Sequence, residues 1–148
     1  MVFLSMLPFL LQTVAISCDE YYFHIRRGLP RWERIGHPLD TLSVLLCFAC
    51  VLFVPYSDTS LKVYIGLAIL SCLMITKDEF VHKHHCPAAE QWLHALLFIN
   101  HPILLTTMGL LWAKGEFYLF LVSQALLTAG FCLYQIIYWN FLWQEKRP

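Results

Sequence analysis

Long apolar runs alternate with short polar ones along this chain of 148 residues. The runs cover about 2–18, 39–57, 61–77, 91–113 and 117–143. Each approaches the roughly 20 helical residues needed to cross a hydrocarbon core of about 30 Å. With their polar ends included, the runs predict helices over roughly 2–25, 38–57, 61–85, 88–113 and 117–143. The connections are short, no stretch is low in complexity and no repeat of fixed period is present. The expected fold is all-α: a single polytopic integral membrane helical bundle over 1–148, with about five transmembrane helices, four of them enclosing a polar site.

Composition agrees with the pattern. The chain is 59% hydrophobic and only 14% charged, with a mean hydropathy of +0.60. A soluble domain carries about a quarter of charged residues, so an ordinary soluble enzyme is excluded. The first run, MVFLSMLPFLLQTVAISC, lacks the positive flank of a secretory signal, since no Lys or Arg precedes Arg26; it is read as a retained helix. Membrane lipids are the expected partners and nucleic acid is not, and the composition is compatible with a homo-oligomer.

Charge sets the orientation. Arg26, Arg27, Arg31 and Arg34 follow the first run, Lys77 and Lys83 follow the third, and Lys146 and Arg147 close the chain, making eight of the ten basic residues. Basic loops stay in the cytoplasm. This predicts an outside N-terminus, an inside C-terminus and four helix ends that meet at the cytoplasmic face.

Those four ends hold the polar chemistry. Glu20 and His24 are four residues apart, and His37 and Asp40 three apart beside Pro38, which suits a first helical turn. Glu79 and His82 are three apart, Asp78 and His82 four apart, and His85 follows on the same side. Glu90 and His94 are again four apart, after Pro87. Residues three or four apart share a helical face, so each end offers a carboxylate and an imidazole pointing one way. An ionised side chain in a membrane helix costs about 2.5–3.5 kcal/mol on insertion scales, and such groups persist where they are paired, hydrated or bound. The economical reading is a metal site built from Glu20, His24, His37, Asp40, Glu79, His82, Glu90, His94 and His101. The excess of carboxylates favours two divalent ions, iron first, with zinc or manganese as alternatives. Asp19, Asp78 and His85 are candidates for acid–base or supporting roles.

Glu79-x-x-His82 resembles the Glu-x-x-His element of helical-bundle di-iron carboxylate proteins. His82-Lys83-His84-His85 resembles a histidine box of membrane-bound fatty-acid desaturases and hydroxylases. Both resemblances imply a di-metal centre held by helices. The remaining features read as structure: Cys47 and Cys50 as small apolar packing residues, Cys18 and Cys86 as free thiols close to the site, His84 as a surface residue, and the tryptophans as an aromatic belt. His101, about 10 Å deeper than His94 at 1.5 Å per residue and followed by Pro102, suits a ligand in a bent helix, a supporting group or a proton relay.

The function expected from these features is a membrane-embedded di-metal enzyme acting on a lipid or other amphipathic substrate, an oxidoreductase ahead of a hydrolase. The alternatives are a transmembrane metal-ion transporter or sensor and, behind it, a small haem-binding membrane cytochrome. Reporter fusions test the shared geometry: the Arg31 loop, the His84 loop and the C-terminus should all report from the cytoplasm, with the Ser57 and Lys114 loops outside. Arg31 and His84 on opposite faces would mean that the four ends cannot meet.

Overall fold

The chain was analysed as a computed structural model that describes residues 2–78 and 86–143, the side chains of residues 2, 3 and 78 apart. Among the described residues all regular structure is helical. Helix α1 (Val2–Asp19) runs through a π-helical turn (Glu20–His24) into the short α2 (Ile25–Arg27). Then come α3 (Arg31–Phe53), α4 (Asp58–Ile75) with a 3₁₀ turn (Thr76–Asp78), α5 (Ala88–Lys114), and α6 (Tyr118–Ile137) with a closing π-helical turn (Tyr138–Leu142).

Four of these helices are long and apolar enough to cross a membrane: Arg31–Phe53, Asp58–Ile75, Ala88–Lys114 and Tyr118–Leu142. The expectation was about five. Val2–Asp19 is helical as expected but is not among the four.

Helix α3 starts seven residues before the expected position 38. Pro38 lies inside the helix, and the break falls at Gly28-Leu29-Pro30. Gly28 turns the chain with φ 79° and ψ 161°, a region open in practice only to glycine. Pro30 then caps α3 in extended backbone. A proline marks a boundary only when its neighbours supply the turn, and glycine supplied it upstream. Helix α4 also starts early, at Asp58, because Ser57 and Ser60 form a reciprocal capping box, each hydroxyl accepting the other's backbone N–H. At the far end of α5, Gly115 adopts a left-handed φ of 65° and its N–H bonds back to the last turn. Residues 79–85 lie outside the description.

In the bundle α1 lies along α5, while α3 packs against both α4 and α6, and α4 closes on α5. Asn100 ties α5 to α1 by donating from Nδ2 to the Pro8 carbonyl and to Gln12 Oε1, both at 2.8 Å. The apolar core lies in the half of the bundle away from Gly28. It contains Cys47, Phe48, Val51, Tyr64, Leu105, Met108 and Leu111. Cys47 is fully buried there as a packing residue.

The polar half is closed by the end of α6. Trp143 lies over Gly28, where an added Cβ would run into its ring. The Arg34 guanidinium stacks on the same indole at 4.3 Å and donates to the Leu29 carbonyl. Gly28→Ala should therefore destabilise the protein by about 1–3 kcal/mol through backbone strain and the lost Trp143 contact. Gly66→Ala, where a Cβ meets nothing within 4 Å, should be neutral or stabilise by up to about 1 kcal/mol. Thermal unfolding of the two variants in detergent checks the contrast.

Candidate metal centre

Three helix ends converge at the Gly28 side of the bundle. The π-helical turn covers Glu20 to His24, with the Ile25 N–H bonded to the Glu20 carbonyl. Such turns insert an extra residue per turn and re-aim side chains, often at functional sites. Here Asp19, Glu20 and His24 all turn inward and are buried. They meet Glu90 and His94 from the first turns of α5 and Glu33 and His37 from the first turns of α3.

Four donor atoms face one another. His24 Nε2 lies 3.3 Å from Asp19 Oδ2 and 3.8 Å from Glu90 Oε1, and His94 Nε2 lies 3.2 Å from the same Asp19 oxygen. A tetrahedral ion with bonds of 2.0–2.1 Å holds its ligand atoms about 3.3 Å apart, so these separations suit a shared cation. Orphaned polar atoms agree: Asp19 Oδ1, His24 Nε2 and Glu90 Oε2 are buried and have no hydrogen-bond partner among the described residues. Such atoms each cost about 1–3 kcal/mol when left unmet. Asp19, His24, Glu90 and His94 thus form a buried group able to hold a metal ion.

Glu20 stands behind this group. Its Oε2 lies 3.1 Å from His24 Nδ1, which leaves Nε2 aimed at Asp19 and Glu90. Tyr134 Oη at 2.6 Å and Trp139 Nε1 at 2.9 Å donate to its other oxygen. A carboxylate on the far nitrogen of a ligating histidine fixes both ring and tautomer. A second group, His24, Glu33 and His37, adjoins the first and shares His24. The His24 and His37 rings lie 4.9 Å apart.

Arg27 links the two groups through Glu90 Oε1 at 2.7 Å and Glu33 Oε2 at 3.5 Å. Asp19, Glu20, Glu33 and Glu90 bring four carboxylates, and Arg27 brings one guanidinium. Among the described residues these carboxylates outnumber the guanidinium that meets them, a balance that a metal ion would favour.

The other candidates lie elsewhere. Both oxygens of Asp40 take Lys77 Nζ, each at 2.6 Å. His101 sits deeper in α5, its Nε2 2.9 Å from Ser71 Oγ, which continues to Ser43 Oγ at 2.8 Å. Glu79, His82, His84 and His85 fall outside the described residues, as does the Asp78 side chain. Cys86 lies near Glu90; burial pushes its thiol up to about 12, so it stays protonated at neutral pH.

Glu33, Arg27, Tyr134 and Trp139 were missed as site residues in the sequence. Glu33-x-x-x-His37 has the same spacing as Glu20/His24 and Glu90/His94, and that repetition was the available signal. It was lost by starting the helix at Pro38. The α6 residues carried no such signal, because a tyrosine and a tryptophan near a helix end also suit a membrane interface.

A cavity of about 260 Å³ leads from the cluster into the bundle. Asp19, Glu20, His24, His37 and His94 line its polar end; the rest is mostly apolar, with Phe9, Val44, Phe48, Leu104 and Phe131, but also carries Asp40, His101, Gln124 and Gln135. Fold and site together define an all-helical protein, with helices compatible with membrane insertion and a buried acid–histidine group able to hold a metal. No protein-family model, curated protein or solved structure matches the chain.

Elemental analysis of purified variants tests the group. Asp19→Ala, His24→Ala, Glu90→Ala and His94→Ala should each lose bound metal. Glu20→Gln, which removes only the partner of His24, should weaken binding by about 10–100-fold. Asp40→Asn should keep its metal. Full metal content in all four alanine variants would rule the group out.

Proposed function

We propose that the protein is a membrane-embedded, metal-dependent oxidoreductase acting on an apolar-chain substrate held in the cavity. Its divalent ion is held by Asp19, His24, Glu90 and His94, with iron favoured over manganese or zinc. One observation carries this reading: Asp19, His24 and His94 line the cavity, whereas Glu90, fixed by Arg27, is not part of its lining. Two imidazoles and one carboxylate on a shared face, with room beside them, are the donor set of non-haem iron oxygenases. Bound iron would supply dioxygen activation there.

The chain's own groups have separate tasks in this reading. Glu20 holds the His24 ring and its tautomer. Arg27 offsets one of the buried carboxylates and keeps Glu90 in place. The aromatic and aliphatic wall excludes water and lays a substrate chain alongside the ligand group. The basic residues near the cluster support a site that faces the cytoplasm, by the charge rule for loops.

A di-metal centre is the second reading, supported by the adjoining His24, Glu33 and His37. Because His24 belongs to both groups, these three residues suit an alternative seat better than a simultaneous one.

Transport of a metal ion is disfavoured by the cavity wall below the cluster. Its hydroxyls bond to their own helices: Thr13 to the Phe9 carbonyl at 2.9 Å, Ser17 to that of Thr13 at 2.7 Å and Thr128 to that of Gln124 at 2.8 Å. These hydroxyls are not turned to the cavity, and its mostly apolar wall offers an ion no continuous file of ligands to replace its water.

In liposomes supplied with ascorbate as a two-electron donor, the iron-loaded protein should consume dioxygen as it hydroxylates an added lipid chain, one oxygen atom entering the chain and the other leaving as water. Asp19→Ala and His94→Ala should fall to background, and the vesicles should stay impermeable to iron. Iron flux that His101→Ala abolishes would make the protein a transporter, and iron loading without oxygen uptake would remove the redox assignment.

A further inference from the structure

The cavity has an open side. Helix α1 is backed by α5, and α6 by α3. Between themselves α1 and α6 meet near their two ends. Phe9 packs edge-on against Phe120 at 5.1 Å between ring centroids, and Glu20 takes the hydrogen bonds of Tyr134 and Trp139. Between those contacts Thr13, Ile16 and Ser17 of α1, and Gln124, Leu127 and Phe131 of α6, line the cavity. Two of these lining residues are exposed on the outside of the bundle. They are Ser17 on α1 and Leu127, 52% exposed, on α6. A residue that both lines a cavity and faces outward marks its rim, and here the rim has one member on each helix.

We propose that the seam between α1 and α6 is a lateral portal through which a single unbranched acyl chain passes from the bilayer into the cavity. Its polar end comes to rest at the Asp19, His24 and His94 cluster. This names the substrate class and entry route for the site proposed above, and so rests on that reading for its catalytic meaning.

The medium outside the portal follows from the helices that frame it. Tyr118–Leu142 is apolar and long enough to span, and Leu126, Leu127 and Leu133 are exposed on it. With this helix in the bilayer, what faces the opening would be hydrocarbon. The rim between residues 124 and 131 is about 10 Å long at 1.5 Å per residue, along the helix axis, which suits a chain sliding in sideways.

The size of the cavity selects the occupant. From Phe9 to Glu20 its wall covers eleven residues of rise, roughly 16 Å. A cavity that long, mostly apolar along its wall and charged at one end, matches an extended chain with a single polar end. The wall suits hydrocarbon as well: the Thr13, Ser17 and Thr128 hydroxyls are turned to their own backbones, and Gln12 Oε1 accepts from Asn100. Most polar groups of the rim therefore lose little when an apolar chain displaces water.

The experiment uses the full chain in liposomes, stripped of metal by a chelator, with an uncharged hexadecanol that carries a diazirine in its chain. Lipid outside the protein labels exposed positions whatever the cavity does, so the diagnostic labels are on Phe48 and Leu104. Both line the cavity and are only 2% and 5% exposed. Light should label them in the native protein. Leu127→Trp, which fills the rim from an exposed position, should lower that label by about tenfold, the equivalent of about 1.4 kcal/mol in chain affinity. Leu126→Trp, on the lipid-facing side and 68% exposed, should leave it unchanged. Absence of label at Phe48 and Leu104, or equal label in Leu127→Trp and Leu126→Trp, would overturn the portal. Label from a diazirine sterol at the same two residues would overturn the chain class. The metal reading is separable: label without bound iron in the native protein sinks that reading alone, and bound iron without label sinks the portal alone.

Discussion

An excess of buried negative charge governs this structure. Among the described residues Asp19, Glu20, Glu33 and Glu90 are withdrawn from solvent, with the Arg27 guanidinium paired to Glu33 and Glu90. Burial makes each uncompensated charge expensive, and the cost rises as neighbours of the same sign approach. Much of the surrounding architecture can be understood as compensation. Tyr134 and Trp139 donate to Glu20, Arg27 spans Glu33 and Glu90, and two imidazole nitrogens converge on one oxygen of Asp19. The remaining imbalance is what a cation would settle.

Helical spacing delivers these groups together. On α1, α3 and α5 a glutamate precedes a histidine by four residues, so each pair projects from one face near the helix end. The three pairs do different work. Glu90 and His94 both face the centre, Glu20 stands behind His24, and Glu33 joins Arg27. The π-helical turn at Glu20–His24 accounts for the difference on α1, because the extra residue brings Asp19 into the group with His24 and leaves Glu20 on the other ring nitrogen. The same periodic motif thus serves as ligand pair or as ligand and support, according to local winding.

The cavity and the cluster depend on each other. Helices that must carry polar groups to one point cannot also pack tightly along their full length, and α1 and α6 are held by Phe9 with Phe120 at one end and by Glu20 at the other. The space left between them is apolar below and charged above. That gradient suits an amphipathic occupant better than an ion.

The apolar runs, the all-helical class and the gathering of acids and histidines at helix ends were legible in the sequence, because hydropathy and residue spacing are local properties of the chain. Glu20, His24, His37, Glu90 and His94 were visible for that reason. Their roles were not. That Asp40 is held by Lys77, that His101 turns to Ser71, and that Asp19 joins the central group depend on which helices neighbour one another. The helix start at Arg31 was hidden by Pro38, a local signal outweighed by the turn at Gly28. Tyr134 and Trp139 were hidden because their partner, Glu20, lies more than a hundred residues away in the chain. Sequence alone determined which residues carry charge in an apolar chain, since that cost is intrinsic to each side chain. Only the tertiary structure decided which of them face one another, since that depends on helix packing and on the one extra residue in a π-helical turn.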